Sequence, residues 1–320
     1  MSEIQEAIAT SYYRTFSKSH PILARVKPGA TVVTKTLDSG GQDLNGDHLS
    51  EPGNPLTGPF YIEGAESGDS ISVHLNKVRL NRTWGYTSYR LGLVALTPES
   101  IETVYSSSYK QNLVRNGRDN MLPWDIDLEK NTVRARNPES DTSALEFPAD
   151  PMLGCIGVAP EGDFTPTSGP SAGYGGNVDY NQIKEGSIVH IPVYHEGAYL
   201  YVGDGHALQG DGEPLGSGIE TSMDVEFAVT LNKGALLAAF RVETDTDIIS
   251  VGSQAEFSSS LNRGLQMATS DMVDWLASDF GWEPWAAHQL VGMIGVYDVV
   301  TVAGSLALRI PKSNLKAPGK

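Results

Sequence analysis

A chain of 320 residues with 40% hydrophobic content is long enough to bury a sizeable core, as one large or two medium domains. Its 39 acidic against 23 basic residues give a formal net charge of −16, which excludes sequence-independent nucleic-acid binding, because that needs clustered Lys and Arg against phosphate. A single cysteine, Cys155, excludes an intrachain disulfide, and the chain has neither a leader-like start nor an apolar run of about 20 residues; it reads as soluble and cytoplasmic, with no membrane partner.

The 34 glycines and 18 prolines favour many strands separated by turns, so the expected fold is mainly β, with a sandwich or barrel-like core and a few C-terminal helices. Residues 1–21 read as an N-terminal arm and residues 22–320 as a single β-rich domain, with a subdivision near residue 147 as the alternative. From residue 22 to 112 strand follows strand, the clearest being Leu23–Val26, Thr31–Leu37, Phe60–Glu63 and Asp69–Leu80. The runs Lys27-Pro-Gly-Ala-Thr-Val, Glu66-Ser-Gly-Asp-Ser-Ile and Lys184-Glu-Gly-Ser-Ile-Val resemble one turn-and-strand unit used three times at irregular spacing.

In the first of these strands the alternation puts Thr31, Val33, Lys35 and Leu37 on one face and Val32, Thr34, Thr36 and Asp38 on the other. Asp38 then stands at a strand end, ahead of a loop rich in oxygen ligands that reaches Asp47 and His48. The Asp43 to Asp47 spacing lacks the twelfth-position Glu of an EF-hand. Asp38 and His48 are instead candidates to complete a metal site supplied mainly from elsewhere in the chain.

Residues 113–147 are polar and mixed, and Phe147 to Pro160 reads as a short buried strand bounded by prolines. Cys155 lies in its apolar run, where a lone cysteine is a small buried hydrophobe more often than a nucleophile. The loop Ser168–Asp179 is too long and glycine-rich for a simple connection and is a candidate wall of a site, with Gly175, Gly176, Asn177 and Asp179 in it.

The densest chemistry follows in Ala198-Tyr-Leu-Tyr-Val-Gly-Asp-Gly-His-Ala-Leu-Gln-Gly-Asp-Gly-Glu213 and on to Glu220. Side chains two apart on a strand point the same way, so Asp204 and His206 have a metal-ligand relation, while the glycines around them allow sharp turns and close approach. A nucleotide-binding loop is disfavoured because these acids would repel phosphate. The other strand-like or apolar histidines, His20, His74, His190, His195 and His288, read as structural. Residues 221–257 return to strands, followed by an amphipathic helix over Ser259–Leu276, with Leu261, Leu265, Met267, Met272, Val273 and Leu276 on its apolar side, and a second helix over Ala286–Val296.

The runs Pro55-Leu-Thr-Gly-Pro-Phe-Tyr-Ile-Glu-Gly-Ala-Glu-Ser-Gly-Asp, Met152-Leu-Gly-Cys-Ile-Gly-Val-Ala-Pro, Gly176-Asn-Val-Asp and Gly203-Asp-Gly-His-Ala-Leu-Gln-Gly-Asp-Gly-Glu, with Gly218-Ile-Glu, resemble the acetamidase/formamidase family in order and spacing. The resemblance implies a β-rich, homo-oligomeric cytoplasmic enzyme that hydrolyses a short carboxamide to a carboxylate and ammonia, a hydrolase of non-peptide carbon–nitrogen bonds. The family's acidic and histidine positions carry over to Asp38, Asp204, His206, Glu213 and Glu220. On this reading Asp38, Asp204, His206 and Glu213 hold a divalent metal, zinc first and calcium or magnesium as alternatives, and Glu220 or Glu213 is the general acid/base. His48, Gly175, Gly176, Asn177 and Asp179 bind the substrate, with backbone amides of the Gly173–Asn177 loop holding the oxyanion. The rivals are hydrolysis of a larger or cyclic amide, and a non-catalytic ion- or carbohydrate-binding sandwich that would use Trp84, Tyr86 and Tyr89.

Overall fold

Three turns of one kind start three strands of the same sheet. At Lys27–Ala30, Glu66–Asp69 and Lys184–Ser187 the fourth residue donates its N–H to the first residue's carbonyl at 3.0, 3.1 and 3.0 Å. The third residue in each is a glycine, Gly29, Gly68 or Gly186, with φ of 87°, 95° and 88°, as a type II turn requires. The repeated sequence unit is therefore a repeated structural unit, delivering Thr31–Lys35, Ser70–Leu80 and Ile188–Pro192 into one sheet.

The computed structural model describes residues 3–88, 95–100, 121–136, 144–254 and 260–316. Part of the strand-rich stretch expected up to residue 112 lies outside them, as does Tyr89. Among the described residues the fold is mainly β, as expected, with two large sheets and two C-terminal helices. The first sheet runs in the order Ile4–Glu6, Thr31–Lys35, Met223–Asn232, Ser70–Leu80, Ile188–Pro192, Phe240–Glu243, Asp247–Gly252, Ser305–Pro311, Val296–Thr301. The second is centred on Met152–Gly157 and Leu200–His206 and extends through Glu220–Thr221 and Trp84–Ser88 to Met121–Asp127 and Thr132–Ala135.

Buried residues of the two sheets share one core: Val32, Val73, Ile191 and Phe227 from the first, Phe60, Leu153, Ile156 and Val202 from the second. The rings of Phe60 and Phe227 meet edge to face across the layers at 5.1 Å. This burial explains the pattern of Thr31–Lys35, where Val32 and Thr34 are buried and Val33 and Lys35 only partly so.

The helices keep the expected apolar side at Met272, Val273 and Leu276 and correct it in the first turns. The long helix spans Leu261–Phe280, from an N-cap at Ser260 to Gly281 in the left-handed conformation, and the short one spans Pro284–Ile294. Leu261 and Leu265, assigned to the apolar side, are 37% and 39% exposed. The buried side is Gly264, Ala268, Asp271, Met272, Trp275 and Leu276. A charged residue belongs there because Arg241 on the sheet grips Asp271 through two hydrogen bonds of 2.9 and 2.8 Å and stacks on Trp275, while Ser250 donates to the same carboxylate. No described helix is long and apolar enough to cross a membrane.

Candidate active site

The strand Leu200–His206 changes partners along one edge. Its first half pairs with Leu56–Ile62, ending at Gly203 opposite Leu56, and its second half pairs with Glu220–Thr221, with Gly205 opposite Thr221 and His206 opposite Glu220. Asp204 stands at the fork between the two partners, at φ 56°. A left-handed backbone at a non-glycine residue is uncommon, and Asn54, Asp179 and Glu213 share it at 51°, 49° and 47°. All four belong to the cluster that forms where the sheet opens.

Along the other edge the strand faces Met152–Gly157, with Leu153 opposite Gly205 and Cys155 opposite Gly203. Gly154, between those two pairs, has no room for a side chain: a Cβ there would lie 2.5 Å from Asp179 Oδ1 and 2.7 Å from Asp204 Oδ2. Gly218 likewise lies against the imidazole of His206, where a Cβ would come within 2.5 Å of the ring. Glycine at these positions lets two carboxylates and an imidazole converge over bare backbone.

Three carboxamides orient the ionisable groups. Asn54 Nδ2 donates to Asp204 Oδ2 and to Asn177 Oδ1, both at 3.0 Å, and Asn177 Nδ2 donates in turn to Asp179 Oδ2. Gln209 Nε2 donates to the backbone carbonyl of Asp179 at 2.6 Å, which turns its Oε1 toward His206 Nδ1 at 2.7 Å. His206 therefore donates from Nδ1, which leaves Nε2 to ligate a cation or to carry a proton, 3.2 Å from Glu220 Oε1 and 3.5 Å from Asp204 Oδ1. The buried atoms left without a hydrogen-bond partner include His206 Nε2, Asp204 Oδ1, Asp179 Oδ1 and Glu220 Oε2.

Such a cluster of orphaned acceptors is costly without a positive charge or protons to share. Asp204, His206 and Glu220 offer ligand atoms all within 4.8 Å of one another, as do Asp179, His206 and Glu213, and either group is able to hold a cation. Without one, protons accumulate. Burial, reinforced by the negative charge of Asp204, pushes Glu220 up to about 8 and Glu213 up to about 7, with His206 opposing in both cases. Burial and the neighbouring Glu213 and Asp204 raise Asp179 well above the usual carboxylate range. For His206 burial opposes the charged form, but Glu220 and Asp204 outweigh it and hold the imidazole well above its ordinary value.

The cluster opens to solvent through a cleft of about 380 Å³ walled by Asn54, Asn177, Asp204, Glu213 and Glu220, with Tyr86 and Ser217 among the residues opposite. Of the sequence-derived candidates, the fold brings together Asp204, His206, Glu213, Glu220, Asn177 and Asp179. It does not bring Asp38 into either ligand group. Asp38 Oδ2 is held by Arg82 at 2.7 Å and Oδ1 accepts the Gln42 N–H at 2.9 Å, so both oxygens are engaged. His48 is exposed, bridges to Gln42 and is absent from the cleft wall. Gly175 and Gly176 are not free amide donors in a loop: they form the strand Gly175–Asn177, paired on both sides, and the Asn177 N–H donates to Pro170.

Cys155 is fully buried, and burial followed by Asp204 and Asp179 pushes its thiol up, which removes it as a nucleophile. Two of the three aromatics of the carbohydrate reading, Trp84 and Tyr86, are engaged by the protein itself. Arg82 covers a face of Trp84 at 3.6 Å and Tyr86 is buried. Asn54 and Gln209 are site residues absent from the sequence-derived candidates, although Gln209 lies inside the Gly203–Glu213 run that carries the family resemblance.

Comparison with known proteins bears on the family and the fold. The acetamidase/formamidase family model matches residues 5–168 and 166–312. A formamidase of Methylophilus methylotrophus is 30% identical over 239 residues, which span 60% of this chain and 57% of that protein. This chain thus covers less than two thirds of the length of the curated relatives it matches. The crystal structure of an acetamidase from Yersinia enterocolitica superposes with a TM-score of 0.79 at 25% identity, over 99% of this chain and 94% of that one. A predicted acetamidase/formamidase from Thermoanaerobacter tengcongensis superposes with a TM-score of 0.77 at 27% identity, over 98% of both chains.

Proposed function

The chain belongs to the acetamidase/formamidase family, and on that premise we propose that it hydrolyses short linear carboxamides to a carboxylate and ammonia with the help of a divalent metal. The observation that carries the proposal is the convergence of Asp204, His206 and Glu220 with their inward-facing atoms unpartnered beside an open cleft. One imidazole nitrogen with two carboxylates suits zinc better than calcium or magnesium, which favour oxygen-only sites. A bound ion of this kind would polarise the amide carbonyl and acidify water.

The remaining work falls to protein groups. Gln209 fixes the His206 tautomer, and Asn54 and Asn177 hold Asp204 and Asp179 in orientation. We exchange two of the expected roles: Glu220, close to His206 Nε2, joins the ligand set, and Glu213 carries the proton. A carboxyl partly buried beside the ligand set is placed to take a proton from the attacking water and deliver it to the departing nitrogen, a transfer amide cleavage requires. Asp38 becomes a positioning residue, holding Arg82, whose Nη2 also reaches the backbone carbonyl of Glu220 at 3.4 Å. The reading retains a cytoplasmic homo-oligomer, supported by the single buried thiol and by Trp285 and Met293, exposed by 72% and 77% on the short helix.

The test is ammonia release from formamide, acetamide and propionamide, with metal content measured on the same samples. Turnover by the metal-replete protein, lost on chelation, is expected. His206→Ala should lose both metal and activity, whereas Asp38→Asn should keep its metal while losing stability, because breaking one side of a buried ion pair costs roughly 3–5 kcal/mol. No turnover on any amide would overturn the reading, and metal loss in Asp38→Asn would return Asp38 to the ligand set.

A further inference from the structure

Asn54 is more than a brace for Asp204. Its Nδ2 has two hydrogens, and both are committed, one to Asp204 Oδ2 and one to Asn177 Oδ1. The amide cannot be turned over, because that would set its oxygen against the carboxylate of Asp204, two acceptors facing each other. Asn54 therefore has one polar atom left to offer, the acceptor Oδ1. That atom has no hydrogen-bond partner among the described residues and is not one of the buried atoms lacking a partner, and the side chain that carries it walls the catalytic cleft on one side and a second hollow beside Arg14 and Ser168 on the other. The left-handed φ of 51°, on a residue that precedes Pro55, is a conformation that such a position rarely takes and that the surrounding hydrogen bonds maintain.

We propose that Asn54 is a specificity-determining residue whose Oδ1 accepts an N–H from the carboxamide nitrogen of the substrate and so selects primary amides over esters of the same acid. The inference rests on the amide-hydrolase reading above. An ester places an alkoxy oxygen, with no hydrogen, where the amide places its NH₂, and leaves Oδ1 facing an acceptor. A carboxylate is worse, since its charge would meet both Oδ1 and the acids behind it. Sites that hydrogen-bond a substrate N–H or O–H discriminate strongly against analogues lacking it, because the unmatched polar group stays unpaired.

The experiment measures KM for the best amide of the panel and the competition constant of the methyl ester of the same acid, which can be read whether or not the ester is cleaved. Both are taken in the wild type, Asn54→Ala and Asn177→Ala. Asn54→Ala should raise the amide KM by at least about tenfold and leave the ester constant within about twofold, collapsing the discrimination. Asn177→Ala breaks the same carboxamide chain without removing Oδ1 and should leave the amide-to-ester ratio unmoved, even if kcat falls. A parallel change in both constants in Asn54→Ala would overturn the proposal and reduce Asn54 to a brace. Absence of amide turnover in the wild type would instead bring down the functional reading, and this inference with it.

Discussion

The carboxylates of Asp179 and Asp204 occupy the space that a single methyl group on Gly154 would need. Gly154→Ala puts that methyl between the two acids and must push at least one of them off its Asn partner. Because misplacing reacting groups by about 1 Å can cost about 100-fold, kcat/KM for the amide should fall by at least that factor while the circular dichroism spectrum stays that of the wild type. Retention of more than about a tenth of wild-type activity would mean that the acids do not need their present separation. The signal for this was partly present in the chain. The string Gly203-Asp-Gly-His pointed to two ligands spaced by two on a strand, and Asp204 and His206 do converge. The φ of Asp204 and the nearness of Gly154 were not legible, because both arise from a strand that changes partners, a long-range event. The surroundings of Asp38 were not legible for the same reason: an acid at a strand end is a ligand or an ion-pair partner depending on what arrives beside it, and here Arg82 arrives, 44 positions later.

At the scale of elements, the helix Leu261–Phe280 shows why hydrophobic periodicity gave its existence and the packing of its second half, at Met272 and Leu276, but not of its first turns. Periodicity counts large apolar side chains, whereas this helix approaches the sheet through its smallest residues. A Cβ on Gly252 would lie 1.9 Å from the Gly264 carbonyl oxygen and 3.0 Å from the Ala268 nitrogen. Backbone rests on backbone there, and the buried Asp271 is tolerated because Arg241 is already in place. Gly252→Ala should therefore separate helix from sheet and cost about 3 kcal/mol or more in denaturant unfolding, while the equally small change Gly234→Ala at an open turn meets no atoms and should cost less. Equal effects would show that the contact is soft. The strands were more legible because each buries one face against the other sheet and begins at a turn whose glycine the sequence displays.

For the whole molecule, the cluster couples folding to protons and metal. Glu220 and Glu213 hold protons at pH values where ordinary glutamates in the unfolded chain, with a reference value of 4.5, have lost them. The folded state then binds more protons than the unfolded one, and stability falls as pH rises from about that value toward 8. The raised His206 acts in the same direction, contributing stability below 6.5 that is lost as pH climbs through its folded value. The metal-free protein should accordingly show a Tm that declines across this window, and zinc loading should flatten the decline by replacing protons with a cation. A metal-free Tm that is level or rising over the same range would show that these carboxyls are not protonated in the fold.

The fork beside Asp204 also bears on how substrate range diversifies. His206 and Glu220 are directly paired, and the excursion between them is pinned at its base by hydrogen bonds from Ala207 to Ile219 and from Ile219 to Leu208. Glu213, Gly216 and Ser217, on that excursion, form part of the cleft wall. A loop anchored this way can lengthen or shorten at small entropic cost, about 0.6 kcal/mol for each doubling, without disturbing the register of the strands that carry the chemistry. Gln209, Glu213 and Gly218 on this excursion must keep their places for the chemistry, so pocket dimensions are free to change through insertions and deletions only in residues 214–217, between Glu213 and Gly218.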